Sequence, residues 1–541
     1  MADFKKAERA AQASDEPVAE RGDTQQLATL GYKQELRRHY STVQVFAVAF
    51  SIMGLLPSIA STLSFSIPAD PVGMVWVCCQ VRLLGELVHR SLGLTCGAEW
   101  LAASVFISIV GLAMANDVQS RPIYSSAMPT AGDLFFRTHY FSGEKWKNPL
   151  SFVVRYSNTI WLIEGVCSID YGFATMLLAI ISIARDGNRS ASRLVVIRDI
   201  RGLRGCPRPH CYVLCEDHAK IQSACIVTNV GLVFATVLAL PIGKAVNGGT
   251  INSVSYVFGQ LENHTCWEKG WAFMLAWLSP IWTIGSFDSC VHMSEEATNA
   301  AHAVPLGFLS IAVIAAVINT DLKAVMSTTF GQPMAQIYYD CLGKPGAFGF
   351  MAIVAAVQFF TGLSLVVAAS RQSWAFSRNG ALPFSFFFRH VSKRIRYQPD
   401  RMFWGVVAAD IVIGLLCLIN AAASSALFSL AVAGKGIAWM MPILCRLVWG
   451  KSGSTQPAAV TAIVYLAIAI LLCMFPTLVP DPSPDDMNYT VVINGALWGG
   501  ALLYYALYAR KTYKCPRRRH MIHHRHLLHF LRRTSSAKRW N

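Results

Sequence analysis

Two short stretches of this chain set helix-breaking residues in an apolar background fit for lipid, and what such residues free is backbone. The first is SIMGLLPSIAST, residues 51–62, with Gly54 and Pro57; the second is SPIWTIGSFDS, residues 279–289, with Pro280 and Gly285. In hydrocarbon a break in a helix is tolerated only beside protein or a wet cavity, because unpaired backbone groups there find no water. A half-helix N-terminus then offers N–H groups to an anion, while freed carbonyls face a cation. Asp288 follows the second break directly and would cost roughly 2.5–3.5 kcal/mol at a helix centre on insertion scales, so it reads as facing a solute, with capping of the next half-helix as the alternative. One turn on, His292 could handle a proton together with Asp288, whereas Glu295 and Glu296 read as a solvated helix end. This chemistry is recognition without bond-making. There is no P-loop lysine motif and no nucleophile paired with a base, and no cofactor is implied.

The elements that must position these residues are membrane spans. The chain has 541 residues, of which 54% are hydrophobic and 14% charged, a balance that excludes an ordinary soluble protein. Apolar runs near the roughly 20 residues needed to cross a bilayer fall at about 42–67, 98–115, 150–183, 224–243, 271–292, 304–318, 346–369, 402–420, 425–449, 458–475 and 490–508. The third is compromised by Arg155, Glu164 and Asp170, and 304–318 is short for a crossing. Residues 1–41 hold seven basic and seven acidic residues and no apolar core of a signal peptide, so the first span is expected to act as its own signal.

The net charge of +16 gathers between spans, which records orientation rather than nucleic-acid binding. The loop 371–396 carries Arg371, Arg378, Arg389, Lys393, Arg394 and Arg396 without one acid, and the last 32 residues carry eleven basic residues and none acidic; both are expected in the cytoplasm. The 15 cysteines lie mostly in apolar segments and read as small buried hydrophobes. Cys206, His210, Cys211, Cys215 and His218 lack the paired Cys-x-x-Cys spacing of a structural zinc site, so no metal is expected.

Four stretches carry a resemblance: LGYKQELRRHYSTVQVFAVAFSIMGLLPSIAST (30–62), FDSCVHMSEEATNAAHAVPLG (287–307), VVAASRQSWAFSRNGALPFS (366–385) and MNYTVVINGALWGGALLYY (487–505). The chain is similar, over about residues 30–513, to fungal permeases for amino acids, GABA and choline, within the amino acid, polyamine and organocation superfamily. The resemblance implies an all-α membrane protein with a LeuT-like 5+5 inverted-repeat fold and nominally twelve helices, helices 1 and 6 being unwound beside the substrate. It divides the chain into a cytoplasmic tail (1–41), a first repeat (42–243, helices 1–5), a second repeat (271–449, helices 6–10), helices 11 and 12 (458–508) and a basic cytoplasmic tail (509–541). By the same resemblance Ser51, Ile52, Met53, Gly54 and Ser58 would contact substrate, opposed by Ile284, Gly285, Phe287, Asp288 and Ser289, with Tyr171 and Phe359 as weaker aromatic candidates.

Three segments depart from that pattern. Residues 77–100 are less smooth than a second helix, 193–220 replace a hydrophobic fourth helix with an Arg-rich polar stretch, and 304–318 are shorter than a seventh helix. They are read as misread introns, a shifted frame or a degenerate gene. The expectation is a multi-pass permease of the plasma membrane, with the vacuolar membrane as alternative, importing a small amine-bearing solute such as an amino acid, GABA or choline by proton symport. Its partners would be solute, H+ and lipid. A nutrient receptor or a non-transporting permease-like protein is the other reading.

Overall fold

A computed structural model describes residues 35–36, 51–52, 54–66, 133–187, 215–248, 263, 265–275, 278–283, 325, 327–392, 397–418, 421–449, 456–476 and 489–513. Residues 77–100, 193–214 and 304–318 lie outside them, as do the tails apart from 35–36 and 509–513, so the departures noted above fall outside the description except at 215–220. Those six residues are the first turns of a helix.

Among the described residues regular structure is helical, apart from one isolated bridge between Ser392 and Gln398. In chain order the helices are α1 (Leu55–Ser66), α2 (Asp133–Phe141), α3 (Lys147–Ala184), α4 (Cys215–Val246), α5 (Lys269–Leu275), α6 (Leu278–Thr283), α7 (Pro333–Arg378), α8 (Ser385–Phe388), α9 (Asp400–Ile413), α10 (Ala421–Trp449), α11 (Gln456–Leu472) and α12 (Thr490–Tyr504). Five stretches of the described residues are long and apolar enough to cross a membrane: Lys147–Ala184, Ala224–Val246, Pro333–Arg378, Ala426–Trp449 and Thr490–Ala509.

Local sequence explains the ends. Pro149 sits in the first turn of α3, where its missing N–H removes nothing. At the other end Asp186 and Gly187 take positive φ, and the Gly187 N–H returns to the Ser182 carbonyl at 2.9 Å. The long α7 is two helices: Gly343, at φ 69° and ψ 179°, turns the chain, and Pro345 opens the second part. The second part, ending at Arg378, is the crossing helix.

Packing sets an inside and a lipid side. Helix α3 runs against α7 and α10 and is also touched by α2, α9, α12 and α1. Glycines let these helices approach: a Cβ on Gly165 would stand 3.0 Å from Leu365, and one on Gly434 2.8 Å from the Trp161 Cβ. Helix α4 shows the opposite face. Its Val227, Phe234, Leu238 and Ile242 are exposed along one stripe, while Asn229, Leu232, Val233, Thr236 and Leu240 are buried. An apolar stripe outward with polar groups inward is the pattern of a helix solvated by lipid tails.

Candidate functional site

Ser51 and Ile52 are helical, Gly54 leaves helical geometry at φ +45°, and α1 begins at Leu55. Only glycine takes that φ without steric penalty. The Ser58 N–H donates to the Gly54 carbonyl at 2.7 Å, which closes the first turn of α1. Pro57 lies within that turn, where its lack of an N–H costs the helix no bond, so it favours a fresh helix start after Gly54 rather than interrupting one.

The break is held from α7. The Thr361 hydroxyl lies 2.9 Å from the Ser51 carbonyl and 3.0 Å from that of Val357, and Ser364 Oγ lies 3.5 Å from Ser51 Oγ. Thr361 fits so closely that a Cβ on Gly54 would stand 2.5 Å from its Oγ1. Cys225 of α4 reaches the Ser51 side chain from a third direction. Further along α1, Gln332 donates to the Ala60 carbonyl at 3.0 Å, and Gln358 donates to the Ile169 carbonyl at 3.1 Å with Ser61 Oγ at 3.3 Å. Ser51, Gly54 and Ser58 are thus buried together at one discontinuity, with a backbone carbonyl turned toward hydroxyl groups.

The second stretch is described as far as Thr283. Pro280 belongs to α6, which packs on α1 and α10. Met53, Ile284, Gly285, Phe287, Asp288, Ser289 and His292 lie outside the described residues. At the last described turn the Lys435 ammonium of α10, 2% exposed, donates to the Ile281 carbonyl at 2.7 Å. It sits 5.8 Å from the Trp282 ring centre and 5.5 Å from that of Trp439, within cation–π range of both. Lys435 escaped the sequence reading, although it is a lone charge between two glycines in the apolar run LAVAGKGIAWMM. Of the aromatics suggested for a solute, Tyr171 and Phe359 are partly buried in the core, and Phe359 meets Phe173 at 5.8 Å.

Residues 371–378, expected as the start of a loop, are instead the last turns of α7, and Arg371 is buried; at this end of the bundle polar ties close the interior. Arg155 donates to the Ala375 carbonyl at 2.8 Å and lies over Phe135 and Phe376. Thr159 donates to Gln372 at 2.9 Å, Ser151 meets Tyr513 at 2.6 Å, and Arg371 donates to Gln398 at 2.5 Å. Arg155, which looked like a fault in the third span, serves as a buried fastener between α2, α3 and α7.

The chain matches the amino acid permease family over residues 40–497. The GABA-specific permease of Saccharomyces cerevisiae is 38% identical over 525 residues, covering 91% of this chain and 86% of that one. An uncharacterized amino-acid permease of Schizosaccharomyces pombe is 29% identical over 522 residues, covering 92% and 89%. A solved manganese transporter of Eremococcus coleocola aligns at TM-score 0.48 and 11% identity, over 87% of this chain and 94% of that chain.

Proposed function

The chain belongs to the amino acid permease family, an integral, multi-pass class of membrane carrier rather than enzyme, and on that premise we propose that it imports an amino acid or GABA by proton symport. The observation that carries this reading is the discontinuity at Gly54, where Ser51 exposes a carbonyl at the start of a new half-helix against Thr361. A zwitterionic solute suits such a place: its carboxylate lies at the N–H groups that open α1, and its ammonium lies toward freed carbonyls. Ser51, Ile52, Met53, Gly54 and Ser58 form one wall, and Ile284, Gly285, Phe287, Asp288 and Ser289 form the other. Asp288 and His292 are the groups of that second wall able to hold a proton. The yeast relative is a GABA-specific permease, which makes GABA the first solute to try.

The chain works at the plasma membrane, with both tails and the segment that follows α7 in the cytoplasm. The test is uptake of labelled GABA, choline and a panel of amino acids into transport-deficient cells, with surface labelling in parallel. Saturable uptake of GABA or an amino acid that rises as the medium is acidified is the expected result. Uptake of choline alone would move the solute class. A chain that reaches the surface and moves nothing would overturn the transport reading in favour of a receptor or a non-transporting product.

A further inference from the structure

Glu164 is an acid in the middle of the third span that nothing in the account above uses. Its side chain is 0% exposed, and neither carboxylate oxygen has a hydrogen-bond partner. It lies against α10 at a glycine: a Cβ on Gly434 would stand 3.6 Å from Glu164 Oε2. The nearby indole of Trp161 donates instead to Asn158 at 2.5 Å. An ionised carboxylate out of water without a counter-charge is so unfavourable that such a group carries a proton instead.

Contacts around the bundle fix its depth. Gly54 and Ser51 meet Thr361 and Ser364; Leu365, the next residue, meets Gly165; its neighbour Glu164 meets Gly434; and its neighbour Lys435 meets Ile281. The acid therefore stands in the same layer as the broken first helix and the last described turn before the second break. On its own helix Cys167 is about one turn away, Asp170, Tyr171, Tyr156 and Arg155 are about two, with Arg155 held by Ala375, and Lys147 lies at the far start. From the packed elements, α10 brings Lys435, Cys445 and Arg446; α7 brings Tyr338, Tyr339, Asp340, Cys341, Lys344, Arg371 and Arg378; α9 brings Asp400, Arg401 and Asp410; and α2 brings Asp133, Arg137, His139 and Tyr140. Apart from Tyr489 just before α12 and Tyr504 at its end, neither α1 nor α12 brings an ionisable side chain.

We propose that Glu164 carries the proton that crosses with the solute. This deepens the reading of the chain as a proton-coupled importer and rests on it. With the site open outward, the carboxylate takes H+ from a hydronium ion, forming an O–H bond and leaving water. With the site open inward, that bond breaks and the proton passes to a cytoplasmic water. The carboxylate so formed needs a cation, and the residue next to Gly434 on the facing helix is Lys435. Drawing the Lys435 ammonium toward Glu164 takes it from the Ile281 carbonyl, so release of the proton loosens α6 just ahead of the solute wall. That supplies the coupling.

The experiment uses the full chain in proteoliposomes, with GABA as the probe, an imposed pH gradient and a lumenal pH dye. Wild type, Glu164→Gln, Glu164→Asp and Asp288→Asn are compared for gradient-driven accumulation and for counterflow of labelled against unlabelled GABA at equal pH. Glu164→Gln is expected to keep counterflow while losing accumulation and lumenal acidification at least tenfold, and Glu164→Asp to keep both with a displaced pH profile. Glu164→Gln with the accumulation of wild type, or with counterflow lost from a correctly assembled protein, would overturn the assignment. If Glu164→Gln does not assemble, an unmoved pH profile in Glu164→Asp overturns it, and a displaced one supports it. Loss of accumulation in Asp288→Asn alone would move the proton to the second wall. A wild type that moves GABA without acidification would defeat proton symport itself, and one that moves no solute would defeat transport.

Discussion

Gly54→Ala is the sharpest perturbation, because two independent penalties fall on one methyl group. At φ +45° an L-residue occupies the left-handed region, which costs about 1–2 kcal/mol. The new Cβ would also stand 2.5 Å from Thr361 Oγ1 and 3.0 Å from its Cγ2. Thr361 must turn away and give up its bond to the Ser51 carbonyl, worth about 1 kcal/mol. The broken geometry is then disfavoured by about 2–3 kcal/mol against any straighter alternative, roughly 30- to 150-fold in population. Uptake of labelled GABA per molecule at the cell surface should fall by that order. Adding Thr361→Ala removes the clash with Oγ1 and Cγ2 but leaves the φ penalty and also deletes the bond to the Ser51 carbonyl, so the double variant should stay near the level of the single one. Undiminished uptake by Gly54→Ala at normal surface abundance would refute the claim that this break is where the solute is held. A double variant that regains most of the uptake would refute the claim that the Thr361 bond to Ser51 holds the break.

Lys435→Met keeps much of the volume and leaves the Ile281 carbonyl without its charged donor, a loss of about 1.5–3 kcal/mol; uptake should drop at least tenfold at equal surface abundance, and unchanged uptake would remove Lys435 from the solute layer. Gly172→Ala places a Cβ 2.5 Å from Ser61 Oγ, the movable end of a small side chain, so the expected effect is milder: about 1 kcal/mol, seen as a few degrees in the melting of detergent-purified protein and relieved by Ser61→Ala.

What the sequence makes readable differs from element to element for physical reasons. Long apolar runs announce themselves, so the expected spans at 150–183, 224–243, 425–449 and 490–508 fall within α3, α4, α10 and the helix running from Thr490 to Ala509. The break at Gly54 leaves a trace because positive φ favours glycine. Pro57 looks like a second breaker at the same place, yet a proline three residues into a helix removes no bond, and only the coordinates separate the two roles. Buried charge is harder. Arg155, Glu164 and Lys435 are each a charge set in a span, and nothing local to any of them says that the first fastens to a carbonyl of α7, the last to a carbonyl of α6, and the acid to no hydrogen-bond partner. Those partners lie 220 and 154 residues away in the chain. A pattern of local periodicity cannot carry such pairings, which is why the solute layer around α10 was invisible before folding.

The same pairings argue which parts must move if the solute is to cross. Helices α3 and α7 pack along much of their length and are tied by Arg155 to Ala375, Thr159 to Gln372 and Gln358 to Ile169, so they behave as one body. Helix α1 and the turn before it meet that body over a shorter packed face, with the Thr361 and Gln332 side chains bonded to carbonyls and Gln358 and Ser364 beside Ser61 and Ser51, and α6 meets α10 through Lys435 and the Trp282–Phe428 ring contact. A bond from a hydroxyl or an amide to a carbonyl contributes about 1 kcal/mol and can be exchanged for water or solute, whereas separating packed apolar helices would expose their buried faces. Opening therefore goes between the broken helices and the α3–α7 body, with Thr361 and Lys435 as the groups that let go. Thr361→Val, which keeps the shape and deletes the donor, should accordingly speed exchange of the site between its two faces while weakening solute affinity, a combination readable as faster counterflow at saturating GABA with a raised half-saturation. Slower counterflow with unchanged half-saturation would place the moving boundary elsewhere.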